Sequence, residues 1–410
     1  MNFETIAAAS PEAVWGALAA HVRPARVREV PLEQACGAVL AQDARAALAY
    51  PPFDRATVDG YAVRSSDFNG RTARLRCIGL IRAGIANDAQ LAPGTCVQIN
   101  TGAPLPAGAD AVVMVERSRT IAPDQVELDD APKSGQHVER QASHRRPGDL
   151  LVRAGARIGP GAIAALAAGG ASVVTIFARP QVALLSTGDE LVASGESLGP
   201  AQIHDSNAAA LERLVREQGG EPVVFGRCSD DEPALRASLE LGLANDLLFV
   251  VGGMSKGTHD LVPGILSQLG VRWLIRGLNL KPGKPTCIGR APGGCWVLGL
   301  PGNPVSCAVG FYLFGRCLLD GLQGLGAHEP PHLAGTLMGE MPKTDERPMY
   351  HPAEWSVGAR GEVLVTPGAW RGSGDPFGLV HANALVQRPA RAAGAGRGET
   401  VRFIPLDRPQ

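Results

Sequence analysis

The stretch Trp296–Leu300, W-V-L-G-L, constrains the fold of this chain most. It is an unbroken apolar run of strand length, without polar alternation, as expected of a strand covered on both faces. Pro301-Gly302-Asn303-Pro304 breaks it, and residues 305–319 then read as an apolar helix. Strand, tight turn, helix aims backbone N–H groups and a helix N-terminus at an anion. Just upstream, K-P-G-K-P sets Lys281 and Lys284 about a Pro-Gly turn. Pro282 and Pro285 hold φ while Gly283 gives the turn freedom. Compact cations on a stiff loop suit phosphate or another oxyanion. The same residues also fit an ordinary strand-to-helix turn beside a basic surface loop.

The preceding residues repeat the pattern. A strand at 181–186 ends in T-G-D-E-L. Asp205-Ser206-Asn207 caps a helix at 208–218. A strand at 222–225 runs into S-D-D-E-P and a helix at 233–243. A strand at 246–251 ends in G-G-M-S-K-G-T-H-D. Alternating strands and helices predict a parallel α/β sheet from 181 to about 321. The C-terminal strand ends of such a sheet share one edge, where ligands bind. Four loops there carry Asp189, Glu190, Asp230, Asp231 and Asp260 beside Lys256, Lys281 and Lys284. Carboxylates for a hard cation and lysines for phosphates suit a phosphorylated ligand with Mg²⁺. His204 and His259 each adjoin an acid and read as solvated or core histidines.

The flanks are different. Ser10-Pro11-Glu12 starts a helix, and a second short helix is predicted over 31–40. Residues 51–64, P-P-F-D-R-A-T-V-D-G-Y-A-V-R, carry acids and a turn glycine, with Asp59 before Gly60. From 74 to 126 the alternation is β-like, with Thr101 exposed on a rigid T-G-A-P-L-P turn. Residues 136–149 are polar, 154–169 helical and 171–177 a strand. From about 333 the chain is β-like again, a small barrel or sandwich, with R-G-S-G-D-P at 371–376.

Composition removes several classes of function. A net charge of -1 lacks the basic face of a nucleic-acid binder. No P-loop, dinucleotide fingerprint, nucleophile elbow or zinc pattern occurs. The eight cysteines form no C-x-x-C pair and read as reduced core residues of a cytoplasmic protein. The N-terminus shows no signal-peptide pattern, and a glycine pair splits the apolar stretch 161–177 into helix and strand.

Six motifs, in order along the chain, resemble the molybdenum insertases, the molybdopterin molybdotransferases of the MoeA and gephyrin E-domain family. They are P-P-F-D-x-x-x-x-D-G-Y-A-V-R, N-T-G-A-P-L-P, S-T-G-D-E-L, the G-G-x-S-x-G-x-x-D loop, K-P-G-K-P and G-L-P-G-N-P-V-S. The resemblance implies four parts: a split helical part (1–50 and 137–179), an inserted β domain (51–136), a molybdopterin-binding α/β domain (180–325) and a C-terminal β-barrel (330–410). It implies a Mg²⁺-assisted reaction of adenylylated molybdopterin with molybdate that releases AMP. It also implies a homodimer, with the molybdopterin adenylyltransferase and apo-molybdoenzymes as further partners.

Carried over by motif, Asp59, Thr101, Asp230 and Asp260 become catalytic candidates. Glu190, Gly252, Gly253, Ser255, Lys281, Lys284, Pro301, Pro304 and Ser373 become substrate-binding candidates. Glu190, Asp230 and Asp260 would hold the metal. The chain departs from the family where R-R-R-G-x-D becomes Glu139-Arg140-Gln141-Ala142-Ser143-His144, and again at Met254 and Lys256. His144 and Arg371 are candidates for a molybdate site. Two alternatives stay open: a non-catalytic molybdopterin-binding scaffold or specialised paralogue, and an adenylyltransferase acting one step earlier.

Overall fold

The computed structural model describes residues 4–24, 26–229, 231–254 and 261–407. The chain forms two compact units. One comprises Met1–Arg28, Gly37–Val39 and Phe177–Gln410, the other Glu29–Cys36 and Leu40–Ile176.

The first unit is built on a seven-stranded sheet. Its order is Ile6–Ala9, Arg272–Leu278, Cys287–Arg290, Trp296–Leu300, Leu247–Val251, Gln181–Thr187, Glu221–Cys228. The last four run parallel, as the alternation of strands and helices requires. Every residue of Trp296–Leu300 and Leu247–Val251 is buried, the consequence of apolar runs covered on both faces. The sheet is not parallel throughout, however. Cys287–Arg290 runs antiparallel to both neighbours, and Ile6–Ala9 adds a parallel edge. These segments are short, and Gly289 interrupts the pattern of the first. Their pairing is decided by what lies beside them and not by their own periodicity.

Helix caps fall where the residues demand. Ser10 Oγ accepts from Ala13 N–H at the start of Pro11–His21. Asp205 accepts from Ala208 N–H ahead of Ser206–Glu217, and Asp231 from Ala234 N–H ahead of Glu232–Gly242. A cap of this kind contributes about 1 kcal/mol. Asp231, grouped by sequence with the edge carboxylates, therefore serves as a helix cap. The helix after the P-G-N-P turn runs from Pro304 to Leu322 through a π-helical turn at Phe311–Gly315. Among the described residues it is the one helix long and apolar enough to cross a membrane, yet it is 78% buried inside the protein. It serves as a core helix: Phe311, Leu313 and Phe314 pack with Trp15, Phe249 and Trp296, and Trp15 Nε1 donates to Leu313 O at 2.9 Å. The C-terminal strands close into a five-stranded barrel around Leu337, Val365, Val386 and Phe403.

The second unit carries a six-stranded sheet, ordered Ala111–Met114, Gly60–Val63, Thr95–Ile99, Ala73–Ile81, Gln125–Leu128, Ser118–Ala122. The short helix predicted over 31–40 is only one 3-10 turn, Leu32–Gln34. Gly37 at φ 80° turns the backbone left-handed before a second helical turn can form. All eight cysteines are free, and six of them are buried.

Candidate active site

The strand ends of the first unit meet on one edge, and glycines permit the approach. Gly252 N–H donates to Leu300 O at 3.1 Å, which ties the loop after Leu247–Val251 to the end of Trp296–Leu300. Gly252 and Gly253 have φ of 90° and 60°. A Cβ at Gly252 would run into the Thr187 carbonyl, and one at Gly253 would press on the Thr187 hydroxyl. Thr187 thus closes the space beneath the glycine loop. Its Oγ1 is buried and has no hydrogen-bond partner among the described residues, an arrangement that costs free energy unless a ligand supplies one. Sequence reasoning passed over Thr187, although it opens the T-G-D-E-L motif. Three residues on, Glu190 is exposed and its carboxylate lies over Gly188.

The P-G-N-P turn is tied to the R-G-S-G-D-P loop. Asn303 Nδ2 donates to Ser373 Oγ at 3.1 Å, and Val305 N–H donates to Ser373 O at 3.0 Å. Asn207, at the start of Ser206–Glu217, donates to Gly302 O at 2.7 Å. Ser373, Pro301 and Pro304 are thereby brought together, with Asn207 and Asn303 as unanticipated partners. Two positions at this helix start offer no N–H to an anion. Pro304 has none, and Ser373 already takes that of Val305. Arg371 lies on the same loop, exposed, its backbone N–H held by Asp375 Oδ2 at 3.1 Å.

The lysine loop is anchored by the barrel. Lys281 N–H donates to Pro348 O at 2.9 Å, and Tyr350 N–H donates to Lys281 O at 2.8 Å. The Lys281 ammonium reaches Asp345 Oδ2 at 3.3 Å. Lys284, also exposed, lines a cleft of about 410 Å³ with Arg276, Met254 and Cys287. Met254, one of the departures from the family pattern, is buried and lies over Gly299, where a Cβ would overlap its thioether. Its bulk is accommodated by packing on a bare strand position.

Asp230, Ser255, Lys256, His259 and Asp260 lie outside the described residues. Among the described residues no group of three or more His, Cys, Asp or Glu side chains could hold a metal ion.

The second unit unites the other two candidates. Asp59 Oδ1 accepts from Thr101 N–H at 2.6 Å and from Thr101 Oγ1 at 3.0 Å. These bonds, the backbone one foremost, hold the Asp59 carboxyl below the usual carboxylate range. Gly60 makes the turn possible, since a Cβ there would overlap the Val113 carbonyl. Nearby in sequence, Asp54 accepts from Arg140 at 2.6 Å and from Gln141 N–H at 2.7 Å. Glu139 accepts from Arg55 Nε at 2.6 Å and meets His144 Nε2 at 2.7 Å. The Arg55 and His144 bonds hold the Glu139 carboxyl low, Arg55 contributing most. The side chain at 144 thus faces a carboxylate that Arg55 already shares.

Residues 183–321 match a family described as a probable molybdopterin binding domain, which places the α/β sheet and its edge in the class of molybdopterin-handling domains. Residues 9–170 match the MoeA N-terminal region (domain I and II), and 334–406 the MoeA C-terminal region (domain IV). Molybdopterin molybdenumtransferase of Nostoc sp. is 34% identical over 385 residues, 92% of this chain and 88% of that protein. That of Bacillus subtilis is 31% identical over 92% of this chain and 89% of its own length. A crystal structure of a molybdopterin biosynthesis MoeA protein from Pyrococcus horikoshii superposes with a TM-score of 0.84 at 31% identity, covering 98% of this chain and 100% of that one. The chain belongs to the molybdopterin molybdenumtransferase family, the MoeA proteins. It is a transferase of molybdenum cofactor biosynthesis.

Proposed function

We propose that the chain takes adenylylated molybdopterin and molybdate, cleaves the phosphoanhydride, releases AMP and leaves molybdenum on the dithiolene. The anchored Lys281 is the observation that supports this reading best. Two backbone hydrogen bonds to the barrel segment hold its main chain. An ammonium placed in advance neutralises oxyanion charge without reorganisation, the chief requirement of phosphoryl chemistry. Mg²⁺ belongs to the same proposal: Glu190, with Asp230 and Asp260, would offer the hard oxygen donors it prefers. The decisive assay measures AMP released from adenylylated molybdopterin, with and without molybdate. Molybdate-dependent release that falls in Lys281→Ala is expected. An enzyme that binds the adenylylated pterin yet never releases AMP would overturn the reading.

The working assembly is proposed to be a cytoplasmic homodimer, in which Asp59 and Thr101 of one subunit serve the α/β edge of the other. Closed two-fold pairs are the commonest oligomers of soluble proteins. Mixing Asp59→Ala and Lys281→Ala subunits tests it. In the trans arrangement about a quarter of all sites recover in a statistical mixture. No recovery after verified exchange means that the residues act in cis. The molybdopterin adenylyltransferase, as donor, and apo-molybdoenzymes, as acceptors, are the proposed partners of this dimer.

A further inference from the structure

We propose that Asp345 is a resident counter-ion on Lys281, which an incoming oxyanion displaces onto Arg347. The proposal rests on the reading of Lys281 as an anion-binding residue, and it adds an affinity-setting residue that no motif marks.

Three observations carry it. First, the Lys281–Asp345 contact is loose. At 3.3 Å it is longer than the 2.7–2.9 Å usual for a charge-assisted N–H···O bond, and both side chains are nearly half exposed. Second, neither residue needs the other to stay in place. The backbone of Lys281 is held by Pro348 and Tyr350. The other oxygen of Asp345 accepts from Arg347 N–H at 3.0 Å. Third, the carboxylate has somewhere to go. The Arg347 guanidinium lies 3.5 Å from Asp345 Oδ2, so losing Lys281 does not leave the acid without a cation. The weak link is thus the bond that must break for an anion to reach the ammonium. The same bonds hold the Asp345 carboxyl below the usual carboxylate range, that from Arg347 N–H first, so it is ionised wherever molybdate is a dianion.

Displacement and fixed repulsion make different predictions. If Asp345 moves aside, every anion meets the same cost, that of breaking one exposed ion pair. If it stays, the repulsion doubles for a dianion, because Coulomb energy is proportional to charge. In the displacement case the pair lowers the affinity of every anion by one factor, whatever its charge.

The experiment titrates the full-length protein with molybdate and with perrhenate, a tetrahedral monoanion, by calorimetry. Asp345→Asn should bind both more tightly by the same factor, about two- to fivefold, the range for an exposed pair. The gain should vanish in a Lys281→Ala background, and Asp345→Glu should restore weaker binding. A gain for molybdate equal to the square of that for perrhenate would overturn displacement. No gain, or weaker binding, in Asp345→Asn while Lys281→Ala still weakens molybdate would overturn the role of Asp345 alone. Unchanged molybdate affinity in Lys281→Ala would instead overturn the anion-binding reading beneath it. Equal thermal midpoints across the variants establish that folding is not the cause.

Discussion

At the α/β edge, the main chain does the positioning. Gly252 and Gly253 let one loop lie on Thr187, and hydrogen bonds from the backbone fix Lys281 and Ser373. At that edge the Lys281 ammonium keeps a loose partner, and Thr187 Oγ1 has none among the described residues. At the Asp59 turn the arrangement is reversed. One carboxylate oxygen gathers the N–H and the hydroxyl of Thr101, and a short ladder on Gly60 supports it. The first region is organised to receive charge, the second to hold one charge already in place. A site that must bind an anion keeps its cations underemployed. A site that must offer a carboxylate keeps it ionised by bonding it first.

The largest expected effect tests the rigidity of the second region. Gly60→Ala drives a Cβ into the Val113 carbonyl across the sheet. Backbone cannot yield as a side-chain tip does, so a loss of about 3 kcal/mol or more is expected in urea unfolding. Gly302→Ala is the control at the α/β edge. Its Cβ would meet nothing nearer than 3.9 Å, and stability should be nearly unchanged. Equal losses would erase the contrast.

Next comes charge at the receiving edge. Lys281→Ala should weaken binding of adenylylated molybdopterin about tenfold or more, as loss of a charge-assisted contact does. Unchanged affinity in a direct titration would remove Lys281 from the site.

A smaller effect concerns acid stability. The Asp59 carboxyl is held low in the folded protein, so its contribution is fully present above the ordinary carboxylate range. That contribution is lost as pH falls from about 4 through the lowered folded value. Asp59→Asn should flatten this limb of a plot of urea midpoint against pH. Thr101→Val removes the hydroxyl but keeps the N–H, so it should flatten the limb only in part. An unaltered acid limb in Asp59→Asn would show that the turn does not depend on its charge.

Smallest of all is His144→Asp. It sets a second carboxylate against Glu139, whose other oxygen already serves Arg55. A slight fall in urea midpoint is expected, and added salt should narrow it by screening. A rise would show that the acid of the family pattern fits this loop better than the histidine does.

Local pattern determined much of this protein. Unbroken apolar runs required strands buried on both faces, and Trp296–Leu300 has that burial. Ser10 and Asp205 had to cap helices, because their oxygens match the unpaired N–H groups of a first turn. Six ordered motifs were enough to indicate the family. Tertiary structure decided the rest. The antiparallel strand Cys287–Arg290 exists because its neighbours supply hydrogen bonds on both sides. Asp231 and the edge acids look alike in sequence, and only the start of a helix makes one of them a cap. Lys281 meets Asp345, Asn303 meets Ser373, and Arg55 meets Glu139 across sequence separations of 64, 70 and 84 residues. Such meetings depend on strand order, barrel closure and loop path. Periodicity and spacing act over one or two turns of chain, so they carry no record of which distant segment will lie alongside.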